Sequence, residues 1–363
     1  MNPASAKNNP SLWRIFTSAA DGLPSAYFAL VMATGIVSIA AKMENMPEIA
    51  WSLFIANIAF YAVLWILTLL RMFRNFPAVI ADLTSHQRGH GFLTMVAGTC
   101  VLGRQFHVIA NNPTIASVLW LVGLFLWFFL MYTFITGITI GETKPSLEKG
   151  LSGGWLLLVV STQSISVTGA SIFDHLERWA EPILFTALAM FLLGFMLYIL
   201  VISLIFYRFT FFQLKPEELA PPYWINMGAM AITTLAGSVL ILEADHTQVI
   251  QDIMPFLKGI TLLFWATATW WIPLLVILGV WRHGYKGIPI RYDPSYWALV
   301  FPLGMYTACT FQLAKALELD FLYAVPQYFV YVAIAAWVAT FIGLVIQMAG
   351  GMKAIRRDGG EEI

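Results

Sequence analysis

Long apolar runs alternate with short polar connections along the whole chain. Stretches free of Asp, Glu, Lys and Arg cover 22–41, 49–70, 89–103, 105–141, 150–173, 182–207, 219–242, 259–281, 294–314 and 321–352. A helix rises about 1.5 Å per residue, so roughly 20 residues cross the roughly 30 Å hydrocarbon layer of a bilayer. Nine of the ten runs are that long; the third has 15 residues and ends at Arg104. Phe106, Val108, Ile109 and Ala110 continue its apolar character. Helix 3 is therefore predicted to pass through Arg104 and to stop at Asn111-Asn112-Pro113. All runs exceed the roughly 9–11 residues of a membrane barrel strand. The predicted fold is an all-α integral membrane protein with ten transmembrane helices over 24–349. Tails at 1–23 and 350–363 flank it. The first tail lacks the apolar centre of a signal peptide.

The runs fall into two kinds. Gly, Ser, Thr, Asn and Gln make up 34 of 104 residues in the odd runs and 28 of 140 in the even runs; aromatics number 12 and 31 respectively. Lipid-facing surface favours bulky apolar side chains, whereas close helix contacts and water-filled paths favour small and polar ones. The contrast predicts five helical hairpins about one axis, odd helices inside and even helices outside, around a central pore. It is also what packing by small residues alone would give.

Composition agrees with a membrane chain. Hydrophobic residues make up 59% and charged residues 11%, against about 25% charged in soluble domains. Twenty basic residues balance twenty acidic ones, so net charge points to no nucleic-acid partner; the expected partners are small anions and membrane lipids. With the N-terminus inside, fifteen Lys and Arg fall on the cytoplasmic side and five outside. By the positive-inside rule both termini are expected in the cytoplasm of an inner-membrane protein. Cys100 and Cys309 provide neither a disulfide framework nor metal-ligand spacing. No phosphate-binding glycine loop or nucleophile elbow is present. The reading is a transporter rather than an enzyme, with no cofactor and no metal.

The centres of all ten runs lack Asp, Glu and His. This argues against an obligatory proton relay and fits a pore passing anions through neutral polar groups. Arg104 is the exception: either it snorkels to the interface, or it attracts anions into an outer vestibule. Helix 5 holds the densest polar run. Ser161, Ser164 and Thr168 share one of its stripes and serve either the pore or interhelical hydrogen bonds. Thr34, Ser38, Thr99, Asn226, Thr233 and Thr307 are candidates of the same ambiguity. Gly35, Gly98, Pro302 and Gly304 are candidate bends, since proline removes a helical hydrogen bond. His86 and His90 stand four apart with no third metal ligand and read as part of a solvated loop.

Three motifs carry a resemblance. Phe28-Ala29-Leu30-Val31-Met32-Ala33-Thr34-Gly35-Ile36-Val37-Ser38 resembles the first helix of the tellurite-resistance/dicarboxylate transporter (TDT) family, which includes the slow anion channels. Pro221-Pro222-Tyr223-Trp224-Ile225-Asn226-Met227-Gly228-Ala229 resembles its seventh-helix start. Trp297-Ala298-Leu299-Val300-Phe301-Pro302-Leu303-Gly304 resembles its ninth helix. The resemblance implies a homotrimer with one pore per subunit, plugged by a phenylalanine that falls on Phe301. The function it implies is passage of small anions through this phenylalanine-gated pore. The alternative is a proton-linked carrier of C4-dicarboxylates or sulfite.

Overall fold

The computed structural model describes residues 12–358. Lys7 and 359–363 lie outside them, as do the side chains of Arg14, Lys353, Arg356 and Arg357. Among the described residues, ten helices reach 15 residues or more. They are α1 (Ala29–Met43), α2 (Pro47–Arg74), α3 (Leu93–Val108), α4 (Pro113–Ile140) and α5 (Leu157–Ile172). The second half comprises α6 (Ala180–Phe211), α7 (Ile225–Leu242), α8 (Met254–Val280), α9 (Trp297–Leu317) and α10 (Ala324–Asp358). Seven helical stretches are long and apolar enough to cross a membrane. One of these, Gly153–Phe211, contains both α5 and α6, which part at Leu176 with non-helical φ −113° and ψ 53°. The protein is a multi-pass membrane protein.

Burial separates the helices sharply. In α7, 17 of 18 residues are buried and in α5, 15 of 16, whereas α2 and α4 each bury 7 of 28. The outer helices turn large apolar side chains outward, among them Ile66, Phe125, Phe128, Phe185, Leu263 and Ile346. Lipid rather than water suits such a surface. The odd helices contact one another in a closed cycle: α1 with α3, α3 with α5, α5 with α7, α7 with α9, and α9 with α1. Each also packs along the even helix that follows it.

Local sequence sets where these helices begin and end. Every outer helix carries proline within its first three residues: Pro47, Pro113, Pro182, Pro255 and Pro326. Proline is tolerated there because the first turn has no intrahelical partner for its N–H. Asn112 caps α4 by accepting from Ile115 N (3.0 Å), and Asn75 caps the short helix Phe76–Leu83 by accepting from Ala78 N (3.3 Å). Left-handed residues reverse the chain just before three outer helices: Asn45, Asn111 and Glu318, with φ of 58°, 50° and 57°. Helix 3 does pass through Arg104 and end before Asn111. At the other face, 3-10 turns at Gly89–Phe92, Gly153–Leu156, Pro221–Trp224 and Pro294–Tyr296 lead into α3, α5, α7 and α9. Successive turns touch, so these inner helices start together.

Helical structure extends into both segments read as tails. Leu12–Asp21 is helical rather than plain tail, and Arg74 of α2 reaches Asp21 at 3.2 Å. α10 runs past residue 349 to Asp358.

Candidate functional site

Two small cavities lie among the inner helices. The first, about 50 Å³, lies where the inner helices start. Ala29, Met32, Thr94, Leu157, Ile225, Ala298 and Phe301 line it from all five inner helices, and His90 from the turn before α3. The second, about 10 Å³, lies further along and is lined by Ile36, Val101, Arg104, Ser164, Thr168, Ile232 and Met305 among others. A single water needs about 10–15 Å³, so the second cavity holds one at most. Phe301, 1% exposed, borders the first cavity, and Met305 borders the second. Four residues apart on α9, these two lie one above the other, about 6 Å apart along the helix.

Arg104 lines the second cavity and is 5% exposed. Its side chain is buried within the chain. Its Nη1 donates to Ser171 Oγ, while its Nε has no partner. Among the described residues no carboxylate comes within 4.0 Å of it. Glu243 is close enough to act on it through space. A buried guanidinium without an ion-pair partner costs several kcal/mol of desolvation, a cost that an anion at the same place offsets.

The polar candidates divide by what their side chains meet. Ser164 and Thr168 line the second cavity, although each spends its hydroxyl on a backbone carbonyl: Ser164 on Val160 O (2.7 Å), Thr168 on Ser164 O (2.9 Å) and Cys100 O (3.2 Å). Thr34, Ser38 and Thr99 instead face outer helices. Thr34 accepts from Trp337 Nε1 of α10 (2.9 Å), Ser38 donates to Ala50 O of α2 (2.7 Å), and Thr99 meets Tyr61 OH of α2 (3.0 Å). Ser161, Thr233 and Thr307 bond carbonyls of their own helices. Asn226 is fully buried with neither amide atom partnered. The second cavity is thus mostly apolar rather than lined by free hydroxyls. Ile, Val, Leu and Met residues line it; sequence pattern cannot separate them from ordinary core.

The candidate bends are chiefly places of close approach. α1 and α3 remain helical through Gly35 and Gly98, and α9 through Pro302 and Gly304. A Cβ at Gly35 would lie 2.5 Å from Val101 Cγ1 and 2.9 Å from Asn57 Nδ2. That space lets the buried Asn57 Nδ2 donate to Gln105 Oε1 at 2.6 Å. A Cβ at Gly304 would lie 2.9 Å from Ile36 Cγ2, and the Pro302 ring rests against Gly228. At Gly98 the contacts begin at 3.4 Å, an ordinary fit.

His90 is the clearest correction. It is 8% exposed and lines the first cavity, not a solvated loop. The flanking Gly89 and Gly91 alone do not reveal it; Gly154 and Phe134, distant in sequence, hold the ring in place. No cluster of metal-ligating side chains occurs among the described residues.

Comparison with known proteins places this architecture. The model of the SLAC1 family, described as voltage-dependent anion channels, matches residues 22–345. The chain belongs to this family. It is the same family that the motifs of helices 1, 7 and 9 resemble. An uncharacterised transporter of Methanocaldococcus jannaschii is 26% identical over 333 residues, covering 90% of this chain and 95% of the relative. An uncharacterised membrane protein of Mycobacterium tuberculosis is 37% identical over 153 residues, 42% of this chain and 77% of the relative. The sulfite efflux pump SSU1 of Trichophyton rubrum is 22% identical over 350 residues, covering 87% of this chain and 88% of its own. The family and its named relatives are channels, transporters and pumps rather than enzymes. This family membership makes the chain a membrane protein of anion transport.

Proposed function

We propose that this chain carries small anions across the cell membrane along the axis of its five inner helices. In this reading it spans the membrane ten times as five hairpins, with both termini in the cytoplasm, and assembles as a homotrimer with one path per chain. Arg104 draws the anion into the narrow half of the path. Phe301 gates it, and Met305 forms a second barrier one turn deeper.

The observation that carries the reading is Arg104: a permanent charge, buried on the axis, with no carboxylate bonded to it. A cation path would be repelled by this charge, and a purely structural arginine would be paired. The fifteen-to-five bias of basic residues supports the orientation. Cavities this small suit either a channel at rest or a carrier between its open states. Small inorganic oxyanions such as sulfite are the favoured cargo. The cavity of about 50 Å³ corresponds to about three to five waters, a size that suits a four-atom anion better than a C4-dicarboxylate. A relative named as a sulfite efflux pump adds weight.

The test is flux in proteoliposomes with sulfite, nitrate, chloride and malate. Gradient-driven movement of the small anions, lost in Arg104→Gln, is expected. Malate moving faster than sulfite would favour the dicarboxylate carrier instead.

A further inference from the structure

The mouth of the path holds a polar group that the transport reading does not use. His90 sits in the Gly89–Phe92 turn, buried, with neither Nδ1 nor Nε2 hydrogen-bonded. The Gln87 backbone lies near the ring but outside hydrogen-bond geometry. Leaving such a group unsatisfied costs about 1–3 kcal/mol. The packing nonetheless forces the ring into place. A Cβ at Gly154 would lie 2.3 Å from His90 Cε1, and one at Gly89 would lie 2.2 Å from Leu83 O. Phe134 meets the ring edge-on at 6.5 Å. Three elements thus hold an unpaired imidazole at the wall of a cavity.

The cavity itself is built for negative charge. All five inner helices contribute their first turns to its lining: Ala29, Thr94, Leu157, Ile225 and Ala298. A helix start carries about half a positive charge. The first N–H groups are already bonded to carbonyls of the preceding turns, Ala29 N to Ala26 O (3.0 Å), Leu93 N to Gly91 O, Leu157 N to Gly154 O and Ile225 N to Pro222 O, so these starts bring their dipoles to the cavity rather than free donors, and His90 is the unpartnered group. No acidic residue lines the cavity.

We infer that this cavity binds a small, singly charged oxyanion, with an imidazole N–H of His90 as its donor. The inference deepens the transport reading and rests on it, since the site stands at the mouth of the proposed path. Neutral imidazole offers one donor and one acceptor. A hydrogen-bearing anion such as hydrogen sulfite uses both, whereas nitrate uses the donor alone. A volume of about 50 Å³ favours a four-atom anion over a C4 acid.

Binding is measurable without any membrane. The full chain, purified in detergent, is titrated with sulfite, nitrate and malate while calorimetric heat and thermal unfolding are followed. Sulfite is expected to bind and raise the Tm, and malate to do neither. His90→Leu should weaken sulfite binding roughly tenfold or more. Without anion it should be at least as stable as the wild type, because an unpaired polar group has been removed. His90→Gln, which keeps an N–H donor, should bind within about threefold of the wild type. Unchanged sulfite affinity in His90→Leu, or equal loss in both variants, would overturn the site. So would His90-dependent binding of malate. A chain that binds sulfite through His90 yet carries none in liposomes would sink the transport reading and leave the site standing. Flux without His90-dependent binding would do the reverse.

Discussion

Removing the Phe301 ring alone should open the path little. Phe301 borders the first cavity and Met305 the second, so truncating the ring enlarges the mouth while Met305 still closes the axis. Each 1.4 kcal/mol of barrier is worth about tenfold in rate. With two comparable barriers in series, removing one lets flux rise about twofold at most, while removing both raises it by the full factor. Phe301→Ala is therefore expected to give at most about a twofold rise in anion conductance, and Phe301→Ala with Met305→Ala a rise of about tenfold or more. The stability cost is separate. Phe→Ala in a packed core costs about 3–5 kcal/mol and Met→Ala about 2–5. Phe301 borders empty space on one side, which places it near the lower figure. The two side chains are neighbours on one helix face, so their costs need not add. Planar-bilayer conductance of the single and double mutants, with thermal unfolding in detergent, separates the two effects. A large leak from Phe301→Ala alone would refute the two-layer barrier. A double mutant that stays folded and silent would refute the axial path.

Three further outcomes follow from the same geometry. Arg104→Gln should reduce conductance most at low salt, where the Debye length is about 30 Å at 0.01 M; equal loss at every ionic strength would make Arg104 structural. Gly35→Ala should destabilise by about 1–3 kcal/mol through the contact with Val101 and Asn57, seen as a lowered Tm; a neutral variant would show that α1 and α3 separate easily. Reporters inserted in 243–252 should read external and those in 282–293 cytoplasmic; the opposite pattern would invert the topology.

The helices and the inside-outside division were legible because burial imposes composition. A helix with 17 of 18 residues buried, like α7, has no use for the aromatics that α4 turns to lipid. A further signal lay unread: the proline near the start of each outer helix and the left-handed Asn45 and Asn111 before two of them mark the hairpins one by one. The site was harder. A hydroxyl on an inner helix looks the same whether it faces the axis, as Ser164 does, or a tryptophan on an outer helix, as Thr34 does. The difference is a rotation about the helix axis, which composition does not record. Ile36, Ile232 and Met305 were invisible for a related reason, since the apolar lining of a cavity obeys the same pattern as core. His90 was misplaced because hydropathy alone puts a histidine between two glycines into water. What buries it are Gly154 and Phe134, close in space but distant in sequence.

The central claim is that anions pass along the axis beside Arg104. Its most direct test is the reversal potential of the Phe301→Ala, Met305→Ala double mutant in a planar bilayer under a salt gradient, with and without Arg104→Gln. The account predicts reversal near the anion equilibrium potential, shifting towards zero when the arginine is replaced. Reversal near the cation potential, or a value indifferent to residue 104, would contradict it.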